Sequence, residues 1–68
     1  MDHIAQIEFQ DEDSETSGFI NIRAGARALG ISMALVGGGD FEVFVSSEKA
    51  KELARALEAA AKRAIGNS

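Results

Sequence analysis

Apolar and polar side chains alternate residue by residue through four stretches of the chain, and near its end the period changes to three or four. In the first stretch Ala5, Ile7 and Phe9 point one way while Gln6, Glu8 and Gln10 point the other. Successive side chains of a strand face opposite sides, so residues 3–10 read as a half-buried strand. Residues 19–24 repeat the pattern, with Ile20 and Ile22 set against Phe19, Asn21 and Arg23. Residues 27–36 place Leu29, Ile31, Met33 and Leu35 on one face, and Gly30, Ser32, Ala34 and Val36 on the other. This is the most apolar strand, and a central position suits it. Residues 41–46 send Phe41, Val43 and Val45 inward, and Glu42 and Phe44 outward.

Between these strands lie turn-forming residues. The run from Asp11 to Gly18 has no apolar anchor and concentrates like charge, so it reads as a loop. Gly25-Ala26 and the Gly37-Gly38-Gly39-Asp40 run supply the other reversals, because glycine adopts positive φ without steric penalty. Short connections favour an antiparallel meander. From Ser47 to Ile65, Ala50, Leu53, Ala54, Leu57, Ala60, Ala61 and Ala64 recur at the spacing of one helical stripe. Ser46 or Ser47 can cap its start, Glu48 favours the positive end of the helix dipole, and Gly66 suits the residue that closes it. Glu48–Lys51, Glu52–Arg55 and Glu58–Lys62 are spaced for ion pairs on the wet side. The expected fold is a single α+β domain over residues 1–68, a four-stranded antiparallel meander with one C-terminal amphipathic helix packed on one face (ββββα).

A lone helix covers one face of such a sheet. The other face is expected to carry Ile4, Phe19, Ala34, Val36 and Phe44 among polar residues, as a contact surface for a second copy or a partner. Chain length sharpens this expectation. Small domains usually add disulfides, a metal or a partner subunit to a limited interior, though some of this length fold alone, and the chain has 68 residues and no cysteine. Self-association is the remaining source of support, and the stripe's flanking Ala56 and Ala59 would suit contact between subunits. Net charge is −4, with 11 acidic against 7 basic residues. That balance disfavours direct nucleic-acid or membrane-surface binding. No segment is apolar for the length of a membrane span, and the expected location is cytoplasmic.

Candidate chemistry is sparse. His3 is the single imidazole and stands near a terminus, so no nucleophile–base pair or transition-metal site is expected. Asp11, Glu12, Asp13 and Glu15 begin like a calcium loop, but Thr16 occupies the place of its glycine and Ile22 that of its closing glutamate. The triple glycine leads into a strand instead of a helix and lacks the lysine of a phosphate-binding loop. No catalytic residue, metal site or cofactor is assigned, and the chain is expected not to be an enzyme.

The run Gly39 to Leu57, with Glu48, Ala50, Leu53, Ala54, Ala56 and Leu57 in the pattern E-x-A-x-x-L-A-x-A-L, resembles the endings of short bacterial and phage proteins. The resemblance covers less than half of the chain and implies a strand feeding a helix, with no activity attached. The functional expectation is a small homodimeric protein–protein interaction module. In it the loop Asp11, Glu12, Asp13 and Glu15 would steer a basic protein partner electrostatically. A phage or plasmid inhibitor, an anti-CRISPR or antitoxin-like regulator, would be one such protein. A module binding a small ligand or cation through the acidic loop, or an accessory subunit of an enzyme, is the alternative.

Overall fold

The computed structural model describes residues 2–66. Strands β1 (Asp2–Gln10), β2 (Ser17–Ala24), β3 (Ala28–Leu35) and β4 (Asp40–Ser46) precede one helix, α1 (Ser47–Gly66). Neighbouring strands pair antiparallel in the order β1-β2-β3-β4, so the sheet is an open meander with β1 and β4 at its edges. The expected ββββα order is the observed one, and each element begins and ends close to the expected residues.

The turns follow from local chemistry. Between β1 and β2, the Asp11 carboxylate accepts hydrogen bonds from the Ser14 N–H at 2.8 Å and the Ser14 hydroxyl at 2.7 Å. Asp11 and Thr16 close the loop through their backbones, and Glu15 takes a left-handed φ of 62°. Between β3 and β4, Gly37 has φ 76°, which a side chain would resist, and the Gly38 N–H bonds to the Leu35 carbonyl at 3.0 Å. Between β2 and β3, the Gly25 N–H bonds to the Ala28 carbonyl at 2.8 Å.

Register sorts the sheet into two unlike faces. One row aligns Ala5, Ile22, Ile31 and Val43; the next aligns Ile7, Ile20, Met33 and Phe41. Phe9, Gly18 and Leu35 extend this face at one end, and Ala24, Leu29 and Val45 at the other. It is apolar from edge to edge. The opposite face aligns Gln6, Asn21, Ser32 and Glu42 in its central row, and is mainly polar. Gly18 is among the few buried residues because Phe9 lies over it: a Cβ there would come within 2.7 Å of both the Phe9 ring and the Ala34 carbonyl.

The helix starts without a connecting residue. Ser46 ends β4 and its hydroxyl accepts the Lys49 N–H at 3.1 Å, which makes Ser46 the cap. On the wet side Lys62 pairs with Glu58 at 3.8 Å as expected, while Glu52 turns to Lys49 at 3.1 Å instead of to Arg55. The extent of packing departs from expectation. The helix meets only β3 and β4, and between Ser47 and Ala64 Ala50 alone is partly shielded; from Lys51 to Ala64 every residue is exposed. Leu57, in the middle of the apolar stripe, is 61% exposed. The helix therefore does not blanket a sheet face. A strand that becomes a helix in successive residues leaves no slack for the chain to fold back, and strand–helix connections ordinarily need about 2–6 residues.

The dimensions agree. The radius of gyration is 13.4 Å, where a compact chain of this length would have about 11 Å. The accessible surface is 5476 Å², where a compact monomer of this mass would expose about 4100 Å². Among the described residues no apolar side chain is fully buried.

Candidate interaction surfaces

The five residues expected to form a contact surface do not come together as one patch. Phe19 and Ala34 are direct partners on the polar face, with Val36 just beyond the end of β3. Phe44 lies at the other end of that face, paired with Gly30. Ile4 falls at the irregularity in β1 between His3 and Ala5, where it has no partner on β2, and it too lies toward the Phe44 end. Between the two groups runs the polar row Gln6, Asn21, Ser32 and Glu42. The irregularity has a simple consequence: strict alternation fails at Ile4, because an extra residue on one strand breaks the two-residue period.

An ion pair ties the polar face together. Arg23 on β2 reaches across β3 to Glu42 on β4. It passes Gly30, which has no side chain, and Ser32, whose side chain is small, so the space is open. Asn21, Arg23, Ser32, Ala34, Asp40 and Glu42 line a shallow depression there. His3 stands opposite Arg23 on β1 and is exposed.

The acidic loop divides into two roles. Asp11 is committed to the turn: the Ser14 hydroxyl and then the Ser14 N–H stabilise its charged form and hold its carboxyl below the usual value of 3.8. Glu12, Asp13 and Glu15 are exposed at the tip. The Glu15 backbone is engaged through its carbonyl, which accepts the Gln10 side-chain N–H at 2.9 Å. Among the described residues no three acidic or histidine side chains converge in a way that could hold a metal ion.

A second open surface is the one sequence reasoning assigned to the interior. Phe41 is 56% exposed and Ile7 51%, and both belong to the apolar face. The helix stripe, also assigned to the interior, is open as well. The expectation that the helix covers one face and the polar face is left to partners is therefore corrected: among the described residues the apolar face is only partly shielded, and the helix stripe is open from Leu53 onward. One sequence signal pointed this way, since Val45, Ser46 and the capped Ser47–Glu48 start leave no residues for a reversal. No protein-family model, curated protein or solved structure matches the chain.

Proposed function

We propose that this chain is a small non-enzymatic protein–protein interaction module that works as a homodimer and presents an acidic surface to a basic partner. The observation that carries the reading is the pair of apolar surfaces left open in one chain, the sheet face and the helix stripe. Exposed apolar patches of such extent mark contact sites in soluble proteins. Neither surface offers chemistry that would make it a catalytic site. The exposed Glu12, Asp13 and Glu15 supply a local negative field on a chain of net charge −4. Such a field accelerates encounter with a basic protein more than it strengthens the final complex.

Sedimentation equilibrium tests the core of the reading. A dimer that persists into the low micromolar range is expected. A monomer at every concentration up to the millimolar range would overturn it.

A further inference from the structure

The proposed self-association rests on two open surfaces, and their shapes bear on how they would meet. We infer that the dimer forms by reciprocal exchange of α1: the Ala50–Leu53–Leu57–Ala61 stripe of each copy packs on the apolar face of the other copy's sheet. This inference rests on the preceding proposal and adds the geometry of the contact.

Three observations lead to it. The helix meets its own sheet only at β3 and β4 and leaves Lys51 to Ala64 exposed, because β4 passes directly into α1 at Ser46–Ser47, where Ser46 caps the first turn. Short or absent hinges of this kind favour exchange of an element between identical chains. The two open surfaces match in character and scale. The helix has 20 residues, about 30 Å in length. Strands of eight residues such as β2 and β3 extend about 27 Å. Small side chains at Ala50, Ala54 and Ala61 allow close approach to the bulkier Ile20, Ile22, Ile31 and Met33. Finally, the exposed area is of the right size. The surface beyond that of a compact monomer is about 1350 Å² per chain, so covering it in two copies would bury about 2700 Å², within the range of obligate homodimers. Joining the two sheets face to face would leave Leu53 and Leu57 in water, whereas exchange covers both surfaces with one two-fold contact.

The absence of cysteine allows a spin label to be placed at a single site. Arg55→Cys lies on the helix outside the stripe. Labelled chains are mixed with unlabelled-by-spin, nitrogen-15 chains of native sequence, and amide line broadening is read on the latter. Broadening at Ile20, Ile22, Ile31 and Met33 is expected, because the label then reaches them from the other copy. A second arrangement puts both labels on one chain, diluted in excess native protein. Broadening confined to that arrangement means the helix folds onto its own sheet, and overturns the exchange. A spin label at Val43→Cys that broadens the other copy's sheet and leaves its helix unaffected means face-to-face sheets, and also overturns it. In both of these cases a dimer by sedimentation leaves the proposed function standing, whereas a monomer removes both. As an independent check, Leu53→Asp with Leu57→Asp is expected to weaken dimerisation at least a hundredfold; an unchanged dissociation constant would overturn the exchange.

Discussion

At the scale of single residues, the clearest constraints are in the turns. Three glycines offer a graded comparison. Gly18→Ala would drive a Cβ against the Ala34 carbonyl, a backbone atom that cannot move aside, and against Phe9 and Leu35. A loss of about 1–3 kcal/mol is expected from urea unfolding. Gly37→Ala meets open space but must hold φ 76°, a strain of about 1–2 kcal/mol. Gly39→Ala meets neither obstacle and should stay within about 0.5 kcal/mol of the native protein. Asp11 gives a pH signature. Its carboxyl is held below its ordinary value in the folded chain, so its contribution is present above that ordinary value and is lost as pH falls through the lowered one. Ser14→Ala removes the hydroxyl donor, and a carboxyl titration by NMR should show Asp11 moving back up toward 3.8.

At the scale of elements, the helix and sheet depend on different terms. Ser46→Ala removes the acceptor for the Lys49 N–H and should cost about 1 kcal/mol. Hydrogen exchange should quicken at the first helical turn while the β1–β2 pair is unaffected. The elements themselves were legible in the amino-acid order, since alternation at Ile20/Ile22, Leu29/Ile31/Met33 and Val43/Val45 can satisfy only a strand with one apolar face. The same pattern could not say what covers that face. Alanines and leucines at helical spacing look alike whether they pack on their own sheet or on another chain's, because periodicity encodes a stripe and not its partner. The unpaired position of Ile4 was hidden for a different reason: an irregularity in β1 is not written in hydrophobicity. The separation of Phe19 and Ala34 from Phe44 was equally hidden, because it depends on register across β3 and not on facing direction alone.

At the scale of the whole molecule, the proposed dimer would couple folding to association. A chain whose apolar face is open gains stability when that face is covered, and mass action then ties stability to concentration. The melting temperature is expected to rise as protein concentration increases, in a series of calorimetric scans at neutral pH; a value independent of concentration would separate folding from association. The abrupt passage from Ser46 to Ser47 carries one more consequence. Under the proposed exchange, it would make quaternary structure a property of chain length instead of surface chemistry. A flexible insert of about four residues at that peptide bond would give α1 the reach to close over the sheet it follows. The compact single-chain form that results would keep every contact side chain of the present one. Diversification of this fold between paired and solitary forms would then proceed through gains and losses of residues at one junction, leaving the apolar face itself untouched.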